Sequence, residues 1–214
     1  MSRFVLTFGL CLLVGIPAGA AVSVQEMLRG IEQRYNRPRT LQFQFEQSEA
    51  GRGRITRTES GTLSLRKPGR MRWDYTAPEG KLFLSDGKFV YFFNPLTMKV
   101  SRSKLRESDD MRAPLAFLMG RLDFHRDFKK FRTTPEGEDT YVIAEPKSDK
   151  APYTQVAFLV TPDYRIKMLR VNGQDQSIMV YRLENEQTNP SLADGMFQFK
   201  MPAGAILVDE EEIE

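Results

Sequence analysis

The sequence predicts a mainly β fold with short helices, of the α+β class, in which one large antiparallel sheet curls into a barrel or half-barrel. Three observations lead there. Between Thr62 and Pro95 apolar and polar residues alternate with a period of two, the signature of half-buried strands. Leu63 and Leu65 share one face, as do Met71, Trp73 and Tyr75, with Ser64, Arg72 and Asp74 opposite. Turn chemistry punctuates this run: Lys67-Pro68-Gly69 breaks the first pair of strands, Asp86-Gly87 tolerates the positive φ angles of a tight hairpin, and Asn94-Pro95 closes the stretch. Finally, only two segments of the 214-residue chain carry helical spacing, which leaves room for about a dozen short strands.

Taken in order, Met1 to Ala20 reads as a secretory signal. Arg3 supplies a basic start, Phe4 to Ile16 is apolar but short for a bilayer, and Ala18-Gly19-Ala20 offers the small residues of a cleavage site. Cleavage before Ala21 leaves 21–214 as a single domain. Cys11, the only cysteine, lies within the signal and follows Leu10 rather than the small residue of an acylation site. The exported chain is therefore expected to be free of disulfide and thiol chemistry.

Ser23-Val24-Gln25-Glu26 fits a capping box, and Val24, Met27, Leu28, Ile31 and Tyr35 trace the apolar stripe of a helix that Asn36 and Pro38 stop. Leu41 to Glu46 alternates again, with Leu41, Phe43 and Phe45 on one face. Gly51 to Gly61 reads as a polar loop holding Arg52, Arg54 and Arg57, either a solvated hairpin tip or a docking surface for an acidic partner. A strand at Met98 to Arg102 and a polar linker precede a second helix, Ala113 to Arg121, in which Pro114 suits the first turn and Leu115 and Leu118 share an apolar face. Such a helix in a β-rich chain plugs or covers an open sheet. Further strands are expected at Thr140 to Ala144, Gln155 to Thr161, Arg165 to Val171, Ser177 to Leu183 and around Phe197 to Phe199, with a frayed acidic tail from Asp209.

Composition narrows the function. The chain has 31 Lys+Arg against 28 Asp+Glu, and removing Arg3 lowers the surplus from +3 to +2, too small for a nucleic-acid-binding face. With a single histidine, His125, a triad or a multi-histidine metal site is hard to build, and His125 suits a surface or packing role. Asp109-Asp110, next to a predicted helix, suits its N-terminus better than acid–base work. Carboxylate-only glycoside chemistry would leave no sequence signature. Neither an enzyme nor a metal or cofactor is expected. What remains is the aromatic stripe, which builds either a packed core or, under a helical cover, a cavity for lipid.

The order GTLSLRKPGRMRWDY, LSDGKFVYFFNP, APLAFLMGR and FQFKMPAGAILVD resembles the outer-membrane lipoprotein carrier family of LolA type across nearly the whole chain. The resemblance implies an unclosed antiparallel β-barrel whose hydrophobic cavity lies under a helical lid. It also implies a monomeric periplasmic protein that receives the acyl chains of diacylated or triacylated lipoproteins from an inner-membrane ABC transporter and passes them to an outer-membrane acceptor. Met71, Trp73, Leu115 and Leu118 match cavity or lid positions, and Phe43, Phe45, Tyr75 and Tyr91 join them as candidates. Members commonly place an arginine before the proline to hold the lid. This chain has Lys67 there and Arg66 one place earlier, so either is the candidate latch. Two alternatives stay open: a related carrier of another amphiphile such as a glycolipid, and a lipid-sensing periplasmic regulator.

Overall fold

Ser23 starts the first helix by accepting a hydrogen bond from the Glu26 N–H at 3.2 Å, the expected cap for an otherwise bare helix end. The helix α1 runs Val24–Asn36 and buries Met27, Leu28, Ile31 and Tyr35, the predicted stripe. The computed structural model describes residues 23–51, 54–105 and 122–209. The second predicted helix, with Leu115 and Leu118, lies outside the described residues, as do the signal segment and Asp109-Asp110.

Twelve strands form one sheet: β1 (Thr40–Gly51), β2 (Arg54–Arg66), β3 (Arg70–Ala77), β4 (Glu79–Asp86), β5 (Phe89–Asn94), β6 (Lys99–Lys104), β7 (Phe128–Glu136), β8 (Asp139–Pro146), β9 (Tyr153–Val160), β10 (Ile166–Gly173), β11 (Ile178–Thr188) and β12 (Ile206–Asp209). A short helix α2 (Phe124–Asp127) leads into β7. Their order, β12-β6-β5-β4-β3-β2-β1-β11-β10-β9-β8-β7, leaves β12 and β7 at separate edges, so the barrel is unclosed. Two meanders, β1 to β6 and β7 to β11, meet along the β1–β11 pair. All pairings are antiparallel except the last, in which β12 runs parallel to β6.

The sheet is strongly curved. Side chains on a flat sheet stand roughly parallel, and β3 and β11 are three strand spacings apart, about 14 Å at about 4.8 Å each. Yet the ring of Trp73 on β3 lies 5.5 Å from that of Tyr181 on β11, so the two arms bend towards each other. Gly61 serves this bend: a Cβ there would fall 2.0 Å from the carbonyl oxygen of Asp74, so only glycine allows β2 and β3 to approach so closely. The predicted loop over Gly51 to Gly61 is corrected by this structure. β2 begins at Arg54, and Gly51 pairs with Arg54 across the hairpin. Its strand character was masked because polar cross-strand pairs such as Glu49–Arg57, 3.5 Å apart, replace apolar alternation.

The expected final strand also shifts. Phe197 closes a 3-10 turn, Asp194–Phe197, and the strand proper is β12 at Ile206–Asp209, which ends on the first residue of the predicted acidic tail. The stretch from Leu192 to Phe199 crosses the convex face, where Phe197 is buried with Leu84, Phe93 and Val100 in a small outer apolar layer. The main core lies on the concave face, lined by both arms and capped by α1.

Candidate functional site

The concave face gathers five of the predicted residues. Phe43 and Phe45 on β1 and Met71, Trp73 and Tyr75 on β3 are all buried and belong to one apolar cluster with α1. Alternation along each strand puts them there, since residues two apart share a face. Phe45 meets Trp73 edge-on at 4.6 Å and Tyr75 at 5.1 Å, the electrostatically favoured geometry for aromatic pairs. Tyr91 is a correction. In β5 it pairs with Leu84 and Arg102 on the convex face and stacks on Phe199 at 4.4 Å with rings nearly parallel. The inward residues of that strand are Val90 and Phe92, which join the concave cluster. The run FVYFF is apolar on both faces because both faces are covered, so periodicity alone could not choose between them.

The two latch candidates diverge for the same reason of alternation. Lys67 points to the concave side and its ammonium donates to the carbonyl of Tyr35 in the last turn of α1, where the helix dipole favours a cation. Burial pushes the Lys67 pKa below its ordinary value. Arg66 points outward, donates to the Leu192 carbonyl, pairs with Asp194, and lies 5.2 Å over the Phe197 ring. Lys67 thus ties down α1, whereas Arg66 fastens the segment that crosses the convex face.

At its other side α1 is held by a polar cluster that sequence reasoning missed. The Tyr35 hydroxyl donates to Glu186 Oε2 at 2.7 Å and accepts the Ile166 N–H at 2.9 Å, while Arg34 pairs with Glu186 Oε1 at 2.7 Å. Burial first, and then the Glu186 carboxylate, push the Tyr35 phenol well above its ordinary range, so it stays a donor. Asn36 exchanges two hydrogen bonds with the backbone of Leu122, and Glu32 accepts the Phe124 N–H at 2.8 Å. The helix therefore bridges the two arms of the sheet. His125 is exposed, lies 3.0 Å from Gln25 and meets the Phe131 ring, in keeping with the surface or packing role expected of it.

One end of the interior is polar. Lys81 Nζ lies 2.5 Å from Glu59, and both side chains are buried. Arg57 reaches the other Glu59 oxygen at 3.2 Å, Lys81 sits 4.4 Å over the Tyr75 ring, and the Tyr75 hydroxyl donates to Gln47. Buried charges of this kind persist only when paired and hydrogen-bonded. Among the described residues no cluster of three His, Cys, Asp or Glu could hold a metal. What the concave face offers chemically is a mainly apolar, aromatic-rich interior with this one polar end.

The site and fold together define an unclosed β half-barrel whose apolar concave face lies under a bridging helix. The chain belongs to the LolA family: the family described as "Outer membrane lipoprotein carrier protein LolA" matches residues 36–200. An outer-membrane lipoprotein carrier protein of Nitrosomonas europaea is 30% identical over 209 residues, covering 96% of this chain and 97% of the relative. A carrier of the same name from Pectobacterium carotovorum is 26% identical over 203 residues, covering 94% and 96%. Among solved structures, an uncharacterized conserved protein of Thermus thermophilus matches with a TM-score of 0.51 at 12% identity, covering 87% of this chain and 98% of that one, which shows the fold alone. Carriers of this family are non-enzymatic, and so is this chain.

Proposed function

We propose that this protein is a periplasmic carrier that shields the acyl chains of lipoproteins between the inner and the outer membrane. The observation that carries the reading is the single aromatic concave face spanning both arms of the sheet, with α1 tied across it. Each buried CH₂ contributes about 0.8 kcal/mol, so one long acyl chain gains on the order of 10 kcal/mol. A carrier must also let go. A cover whose closed state is already favourable has to be displaced by the ligand, and that cost offsets part of the gain. The tether from Lys67 to the Tyr35 carbonyl supplies such a closed-state bond, and on this reading Lys67 is the latch. Leu115 and Leu118 are proposed lid residues on the resemblance alone.

Delivery from an inner-membrane ABC transporter to an outer-membrane acceptor completes the proposal. Native mass spectrometry of protein purified from periplasm is expected to show a co-bound acylated species released by collisional activation. A protein recovered with no acylated ligand, and unable to take up a lipoprotein from inner-membrane vesicles, would overturn the carrier function.

A further inference from the structure

We infer that the indole N–H of Trp73 is the hydrogen-bond donor for a carbonyl oxygen of the carried acyl group; this rests on the carrier reading and deepens it. Trp73 is 0% exposed, yet its Nε1 has no hydrogen-bond partner. Four other polar side chains on the concave side do find partners within the chain: Tyr75 donates to Gln47, Lys81 to Glu59, Ser85 to the Gly69 carbonyl and Tyr35 to Glu186. A buried donor left bare carries a standing desolvation penalty, and native interiors rarely retain one.

The position of the indole is as informative as its unmet donor. Trp73 sits mid-strand between Met71 and Tyr75, with Leu63 and Phe83 as its cross-strand partners, and its ring meets Phe45 on the same arm and Tyr181 on the other. Packing alone would be served by phenylalanine, which fills similar space and brings no N–H. Indole is a donor only, so it calls for an acceptor and offers a cation nothing, and burying an unpaired phosphate charge beside it in this apolar site would be costly, which favours an uncharged acceptor. Hydrocarbon offers none, whereas an ester- or amide-linked acyl chain carries a carbonyl at its head. In so apolar a setting the bond is strengthened by the low local dielectric, and a site with an unmet donor discriminates against ligands that cannot satisfy it. Trp73 would thus fix how far an acyl chain enters and favour acyl groups that are still linked to a head.

The test uses two probes of equal chain length, methyl palmitate and hexadecane, delivered from cyclodextrin to the full-length protein. Trp73 is the only tryptophan, so its ¹⁵N-labelled indole gives a single, assigned resonance. The ester is expected to move the indole proton downfield and to bind about tenfold more tightly than the alkane. In Trp73→Phe the ester should lose that advantage while alkane binding is unchanged. Equal binding of both probes with no indole shift in the parent protein overturns this inference and leaves the carrier standing. Binding of neither probe overturns the carrier reading, and this inference with it. Should Trp73→Phe fail to fold, the indole shift in the parent decides.

Discussion

Tyr35 shows how much one side chain in the cover can set. Its hydroxyl satisfies Glu186 and the Ile166 N–H at once, which joins α1 to β10 and β11. Its folded pKa lies above the ordinary value of 10.0. Above pH 10 the unfolded chain therefore releases this proton while the folded one keeps it. The stability that Tyr35 contributes is whole below about pH 10 and is lost as pH climbs towards the folded value. Tyr35→Phe should cost about 1–3 kcal/mol at neutral pH by leaving the Ile166 N–H bare. It should also flatten the alkaline fall, as read by urea melts between about pH 8 and 11. An unchanged slope would show that the alkaline loss lies in other groups. None of this was legible beforehand. Tyr35 read as the last apolar residue of a helical stripe, and the glutamate it binds lies 151 positions away.

Between elements, alternation decides who touches what. Lys67 and Arg66 are neighbours in sequence but act on opposite faces, one on α1 and one on the segment from Leu192 to Phe197. Lys67→Met should leave melting within about 1 kcal/mol, because an exchanged hydrogen bond is worth little net. It should nonetheless speed the release of a fluorescent acyl probe. Arg66→Leu should leave release unchanged and increase proteolysis of the C-terminal segment, its anchor being gone. If Arg66→Leu alone altered probe release, the assignment of the latch to Lys67 would fail. The strands from Thr62 to Asn94 were readable because one face is apolar and the turns carry Gly, Pro and Asp. β7 was not: Phe128–Glu136 alternates between half-buried and exposed positions beyond Phe128, but its two large apolar residues, Phe128 and Phe131, lie three apart across a register shift, so no apolar period of two marks it. Tyr91 was misplaced because the C-terminal segment covers a face that would otherwise have been polar.

At the scale of the molecule, the class and the approximate strand number followed from periodicity, whereas the strand order did not. β1 sits mid-sheet and closes with β11, and nothing local encodes a pairing of Leu41 with Thr188. That seam is where the architecture is most interdependent. Leu183, buried on β11 opposite Phe45, fills it. Leu183→Ala is expected to cost about 2–5 kcal/mol. If the seam forms late, the loss should appear mainly as faster unfolding in a chevron analysis, with the refolding limb little moved. A matching slowdown of refolding would place the seam in the nucleus instead.

The same seam has a consequence for how the chain reaches its final state. Within β1 to β6 each strand pairs with its sequence neighbour, so this meander can assemble from nearby contacts alone. The partner for the far side of β1 begins only at Ile178. Until it arrives, β1 is a bare edge beside an uncovered aromatic face, the combination that recruits another chain into a mispaired sheet. The aromatic face that the finished protein encloses makes its half-built form sticky, and the interval between the two is set by loop closure over more than a hundred residues.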